Sequence, residues 1–375
     1  MPGAPMIGRL RRGPLDAISD VPGVSVGHHT RDEQGIQTGV TVIRPHGGDV
    51  YLQKVPAAAT VINGFGKSIG LMQIDELGLM ETPIALTNTF AVGTVANAQI
   101  RQACQANREI GRGWSTVNPL VFECNDGYLN DIQAMAVTEA DYLFAYQNAS
   151  EHVAQGSVGA GRGMSCFGMK GGIGSASRLI EIANEERPFT VGVLVLANFG
   201  VPDALTVAGV PMGQLLAARL ASANAPAPNP GFTRGTGPTP TATDAVEKGS
   251  IIMIIATDAP LDANQLRRVS ARAAAGLARC GSVYGHGSGD IALAFSTAYT
   301  VAHDVHAPVR YPSPYPSQLI HPAAVDPLFV ATAEAVEQAI VHALWRATSV
   351  TGRDGHQRRC LLDVAPDWQT LMACP

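Results

Sequence analysis

Residues 250–256, Ser-Ile-Ile-Met-Ile-Ile-Ala, form a continuous apolar run. The run is rich in β-branched residues and too short for a helix, so it predicts a strand buried on both faces. After a turn at 257–261, Asp262 is placed to cap a helix whose inward stripe is Leu266, Val269, Ala273 and Leu277, with Gly281 as its stop. A second strand is predicted over 291–296. A final helix follows, with Asp326 as cap, Pro327 in its first turn, and Val330, Ala333, Val336, Ile340 and Leu344 facing inward. Upstream, apolar runs predict strands at 57–62, 83–86 and 189–197, and a helix around 215–220. The order is mixed α and β, with no repeat of 20 to 50 residues.

Two segments break the hydrophobic pattern. Residues 222–243 are rich in Ala, Pro, Gly and Thr and read as an exposed linker feeding directly into the 250–256 strand. Residues 156–174 are so dense in glycine that tight turns and close backbone approach are expected there rather than a regular element.

The 375 residues include 46% hydrophobic and 15% charged positions, enough apolar material for a large core. A net charge of −5 gives no general attraction for nucleic acid or anionic lipid, which leaves small molecules or peptides as expected partners. No run approaches the roughly 18 apolar residues needed to span a bilayer. The arginines at 9, 11 and 12 are not followed by the apolar stretch of a secretory signal. Six cysteines scattered singly, with no C-x-x-C, fit neither a disulfide framework nor a zinc site, so a cytoplasmic protein without metal or cofactor is expected.

Familiar catalytic templates fail letter by letter. Gly66-Lys67-Ser68 ends like a P-loop, but Val61 stands where that loop needs glycine. Ser288 in His286-Gly-Ser-Gly-Asp290 lacks the outer glycines of a hydrolase nucleophile elbow. His303 and His306 have a chelating spacing but sit among prolines. The junction Gly249-Ser250 is different, because an unhindered glycine carbonyl precedes a hydroxyl residue at the start of a buried strand, with a long tether before both. A serine hydroxyl so placed can attack the preceding carbonyl in an N-to-O acyl shift. Hydrolysis would then leave Ser250 as a new amino terminus, whose α-amine, with a reference pKa of about 7.7–8.0, can serve as base for its own hydroxyl. From the junction alone, an ordinary loop-to-strand connection remains open as well.

Several segments in one order resolve that choice. They include Asp20-Val-Pro-Gly-Val-Ser-Val-Gly-His28, Asn63-Gly-Phe-Gly-Lys67, Thr82-Pro-Ile-Ala-Leu-Thr-Asn-Thr89, Glu123-Cys-Asn-Asp-Gly-Tyr-Leu-Asn-Asp131, Lys170-Gly-Gly-Ile-Gly174, Ala197-Asn-Phe-Gly200 and Gly287-Ser-Gly-Asp290. With Gly249-Ser250 they make the chain resemble the DmpA-type L-aminopeptidase/D-esterase family, which includes the β-aminopeptidases. The resemblance implies an α/β fold built as a four-layer α-β-β-α sandwich, like the N-terminal-nucleophile hydrolases but with different connectivity. It also implies a single domain cut by the protein itself into residues 1–249 and 250–375, assembled as a homotetramer. The implied substrates are small peptides and amides or esters of small amino acids, hydrolysed without metal.

By the same resemblance Ser250 matches the nucleophile, Ser288 and Asp290 the supporting hydroxyl and carboxylate, and Asn198 and Tyr146 the oxyanion donors. A substrate ammonium calls for a carboxylate, with Glu123 the first candidate and Asp131 the second. Two other readings are carried alongside: an acyltransferase of related fold, and a small-molecule binding module using the glycine-rich segment 156–174.

Overall fold

The computed structural model describes residues 3–183, 185–223, 248–303 and 319–373. Nine longer strands are named here: β1 (Ser25–Glu33), β2 (Ile36–Arg44), β3 (Gln53–Gly64), β4 (Ile84–Asn88), β5 (Leu120–Cys124), β6 (Gly172–Ile180), β7 (Phe189–Asn198), β8 (Lys248–Thr257) and β9 (Gly287–Ser296). The longer helices are α1 (Val92–Ala106), α2 (Glu139–Gln147), α3 (Met212–Ala223), α4 (Ala263–Ala271), α5 (Ala273–Arg279) and α6 (Asp326–Trp345). The linker expected over 222–243 lies outside the described residues, apart from the end of α3.

Two sheets stack face to face. The first has the order β1-β2-β4-β5; in the second, β3-β9-β8-β7-β6 form the body, and the two-residue strands Val301–Ala302 and Leu79–Met80 pair with β3. Between them lies a core drawn from both inner faces, with Ile43, Leu86 and Phe122 on one side and Leu194, Ile252, Ile254 and Leu293 on the other. The outer face of the first sheet is covered by α1 and α2 through Val40, Val42, Val95 and Tyr142. The outer face of the second is covered by α4, α5 and α6 through Leu266, Leu277, Val336 and Ile340. The result is the four-layer α-β-β-α sandwich, and every layer is explained by an apolar face that must be buried against another.

The predicted strands at 250–256 and 291–296 are β8 and β9, which pair in parallel. With β7 antiparallel on its other edge, β8 is buried on both faces, which accounts for its uninterrupted apolar run. Three expectations are corrected. The helix after Asp262 is capped as predicted, the Asp262 carboxylate accepting from the Gln265 N–H at 2.7 Å, but it divides into α4 and α5 at Arg272 before reaching Gly281. Val330 of α6 is 47% exposed rather than inward, because it lies in the first turns of the helix, before the stretch from Ala331 to Trp345 that is buried at every position. The glycine-rich segment yields β6 at its end: Gly174 lies so close to α6 that a Cβ there would collide with the Ala339 carbonyl.

Candidate active site

Ser250 sits near the start of β8, opposite Asn198 on β7 and Gly289 on β9. Ile252 and Ile254 face the core between the sheets, whereas Ile251 and Met253 face the helices. Alternation therefore points the Ser250 side chain toward the space between the sheets. It is 7% exposed, and its Oγ accepts a hydrogen bond from the Gly289 N–H at 3.1 Å. A Cβ on Gly289 would lie 3.2 Å from this oxygen and 2.8 Å from the Phe65 carbonyl, so only glycine lets β9 approach so closely. Gly249 has φ +131°, and a Cβ there would overlap the Asn198 carbonyl. This backbone conformation is open to glycine and strained for other residues.

Ser288 and Asp290 are brought together at the start of β9. Ser288 Oγ lies 2.6 Å from Asp290 Oδ2 and 2.9 Å from the Gly285 carbonyl, and the Asn63 side-chain amide donates to the Gly285 carbonyl at 3.0 Å and to that of Ser288. Gly249 is the register partner of Ser288 and Ile251 that of Asp290. The pair thus lies beside the Gly249–Ser250 peptide, on the strand face opposite to Oγ.

Asn198 ends β7. Its Oδ1 accepts from the Ser165 N–H at 2.8 Å and its Nδ2 donates to the Asn125 carbonyl at 3.0 Å, which fixes the amide orientation and leaves the second Nδ2 hydrogen for another acceptor. A cavity of about 790 Å³ opens here, lined by Asn125, Ser165, Asn198, Phe199 and Gly249. Across the sandwich, Cys124 of β5 places its thiol 3.4 Å from the Ser250 carbonyl.

Glu123, just before that cysteine, is buried; its carboxylate accepts from the Lys67 N–H at 2.8 Å and from the Thr89 hydroxyl. A Cβ on Gly66 would be 3.4 Å from Glu123 Oε1 and 3.9 Å from Gly289 Cα, which puts the carboxylate on the Gly289 side of Ser250. No cation among the described residues forms an ion pair with it.

Two expected residues are not brought to this place. Tyr146 is on α2, outside the first sheet, with the Arg44 guanidinium 4.6 Å over its ring, and it borders a separate cavity with Tyr51 and Gln102. Asp131 is exposed and lines a surface pocket with Arg353 and Asp354. Asn125, missed in the sequence, is at the site instead. Its signal was present in the Glu123-Cys-Asn-Asp segment, one residue after the cysteine that touches Ser250.

Lys170 of the glycine-rich segment is not presented to a ligand. Lys170 is fully buried and its ammonium is consumed by the carbonyls of Gly161, Met164 and Gly171 at 2.8, 2.9 and 2.8 Å. Desolvation drives its pKa well below the ordinary lysine range. Within residues 156–174 that lysine therefore ties backbone to backbone, while Ser165 and Gly168 of the same segment line the cavity beside Asn198. His303 packs against Tyr51 and Trp114, and His306 lies outside the described residues. Among the described residues no group of three or more His, Cys, Asp or Glu could hold a metal ion.

The sequence model of peptidase family S58 matches residues 16–358. The chain belongs to that family. It is 37% identical over 366 residues to the β-peptidyl aminopeptidase BapA of Sphingosinicella microcystinivorans, covering 94% of this chain and 87% of that one. To its counterpart in Sphingosinicella xenopeptidilytica it is 36% identical, covering 91% and 83%. Among solved structures, a β-aminopeptidase from Burkholderia sp. superposes with a TM-score of 0.82 at 38% identity, over 98% of both chains. The L-aminopeptidase D-Ala-esterase/amidase of Ochrobactrum anthropi, described as a variant of the Ntn hydrolase fold, superposes with a TM-score of 0.83 at 32% identity, again over 98% of both. This S58 protein is accordingly a hydrolase of the aminopeptidase type, with the same variant sandwich. No helix among its described residues is long and apolar enough to cross a membrane.

Proposed function

We propose that this S58 peptidase is a self-processing serine aminopeptidase that cuts its own Gly249–Ser250 bond. It then releases amino-terminal residues from small peptides, and hydrolyses amides and esters of small amino acids. The observation that carries the reading is the junction itself: a glycine at φ +131° precedes a buried serine whose oxygen is held by the Gly289 N–H at 3.1 Å.

In the first step Ser250 Oγ adds to the Gly249 carbonyl, the C–N bond breaks, and the nitrogen takes up the hydroxyl proton. Water then hydrolyses the ester, leaving a carboxylate at Gly249 and a free α-amine at Ser250. In turnover that amine, neutral in part near pH 8, accepts the Oγ proton as the hydroxyl attacks the substrate carbonyl and gives it to the leaving group; it then takes a proton from water, which adds to the Ser250 ester, and returns it to Oγ as the acyl group leaves as an acid. The Ser288–Asp290 pair orients the amine and stabilises its protonated form. The free hydrogen of Asn198 Nδ2 meets the negative charge that develops on the attacked oxygen. Glu123, buried and with no ion-pair partner among the described residues, takes the substrate ammonium.

The same reading makes residues 1–249 and 250–375 two chains of one fold, assembled as a homotetramer in the cytoplasm. Exposed Val61 and Phe65, at and just past the end of β3, and Met72 and Leu77, on the short helix Leu71–Leu77, offer apolar surface of the kind an assembly covers. The deciding experiment is intact mass with amino-terminal sequencing of freshly purified protein. Two chains, one beginning Ser250-Ile-Ile-Met, are expected, and a single chain that stays whole on incubation rejects the mechanism.

A further inference from the structure

Among the described residues lining the cavity beside Asn198 and Gly249, Arg358 carries the sole formal charge. It is half-buried, and its guanidinium lies 3.6 Å over the ring of Tyr128, which is itself stacked on His356 with centroids 4.7 Å apart. The His356 ring is tied to the Tyr128 carbonyl at 2.8 Å. Arg358 Nε donates to Ser165 Oγ at 3.2 Å and Nη1 to the Gln357 carbonyl at 3.3 Å. Ser165 is also the residue whose N–H fixes Asn198. The guanidinium is thus positioned by neutral partners, and no carboxylate among the described residues forms an ion pair with it.

A cation withdrawn from water and left without an anion is costly unless something supplies one. The planar fork of an arginine matches a carboxylate, to which it can give two parallel hydrogen bonds. Glu123 and Arg358 then give the site opposite charges in separate places, neither ion-paired among the described residues: an acid on the Gly289 side and a cation in the cavity on the Gly249 side.

We propose that Arg358 binds a carboxylate of the substrate, so that the site reads a short zwitterionic peptide by both of its charges. The source is either the free carboxyl end of a di- or tripeptide or an acidic side chain. The inference rests on the aminopeptidase reading above.

Two substrate pairs test it in the purified, processed enzyme: Ala-Ala against its carboxyl-terminal amide, and Asp-Ala amide against Asn-Ala amide. Wild type should favour the acid member of one pair by roughly ten- to a hundredfold in kcat/KM, chiefly through KM. In Arg358→Gln that preference should fall to near unity, whereas Arg358→Lys, which keeps the charge, should retain its direction. Arg358→Met, which keeps the apolar stem, is the second neutral variant. Because the readout is a ratio within each protein, a general loss of rate cancels.

A preference in the first pair assigns the carboxyl end, and one in the second assigns the side chain. Ratios unchanged in both neutral variants overturn the role of Arg358 while leaving the aminopeptidase reading intact. A wild-type enzyme that releases no amino-terminal residue from any of the four rejects that reading and this inference with it.

Discussion

At the scale of single residues, Ser250 and its neighbours make the sharpest claims. Ser250→Ala should give one uncleaved 39.1 kDa chain with no turnover, seen by intact mass and by hydrolysis of an amino-acid p-nitroanilide. Gly249→Ala tests the backbone rather than the chemistry. It puts a Cβ into the Asn198 carbonyl, so processing should slow at least tenfold, or the β7–β8 register should give way; a time course of chain cleavage reads this.

Asp126 provides a pH test. Burial pushes its carboxyl from the ordinary 3.8 up to about 6, against hydrogen bonds from Thr38 and Asn130 that lower it. The folded state therefore holds this proton more tightly than the unfolded chain does. Its burial costs nothing below pH 4, costs progressively more as pH rises toward 6, and reaches a full penalty on the order of 2–3 kcal/mol above that. Asp126→Asn can keep the Asn130 hydrogen bond at 3.0 Å without the charge. The difference in unfolding free energy between variant and wild type should accordingly grow from pH 4 to pH 6 and then level off, as denaturant titrations at several pH values would show.

At the scale of elements, legibility followed burial pattern. β8 and β9 were readable because their apolar runs are continuous and too short for a helix, and α6 because its apolar residues continue for several turns behind an Asp-Pro start. β1, Ser-Val-Gly-His-His-Thr-Arg-Asp-Glu, is a sheet-edge strand whose outer half is partly exposed, so its polar letters hide it. β6 was hidden for the opposite reason. It is almost wholly buried, yet it is built of Gly, Ser and Arg because α6 lies directly on it: Gly174 leaves room for the Ala339 carbonyl, and Arg178 is neutralised in place by Asp16 and Glu334.

The site was legible to the same uneven degree. Gly249-Ser250 and Ser288-Asp290 are local in sequence, and the strand register brings them side by side. Tyr146, by contrast, sits on a helix whose distance from Ser250 only the layer order reveals. Gly174→Ala should push α6 off β6 and cost about 1–3 kcal/mol of stability, measured by denaturant melting.

At the scale of the whole molecule, the two sheets are joined at the site itself, where the Cys124 thiol reaches the Ser250 carbonyl. The proposed homotetramer should appear in light scattering at four times the protomer mass, and a protomer-sized particle at micromolar concentration would reject it.

The position of β8 and β9 has a further consequence. They are interior strands of the larger sheet, and β8 lies between β7 and β9. In the proposed processed form, cut between Gly249 and Ser250, β7 and β9 would still hold the new terminus, but the middle of that sheet would belong to a separate polypeptide. Unfolding then produces two molecules where the intact chain produces one, so the melting point of the processed protein should fall on dilution while that of Ser250→Ala stays less sensitive. Neither fragment can close the sheet without the other. Reassembly after denaturation becomes a second-order encounter, and folding before the cut is the step that makes the pair efficient to build.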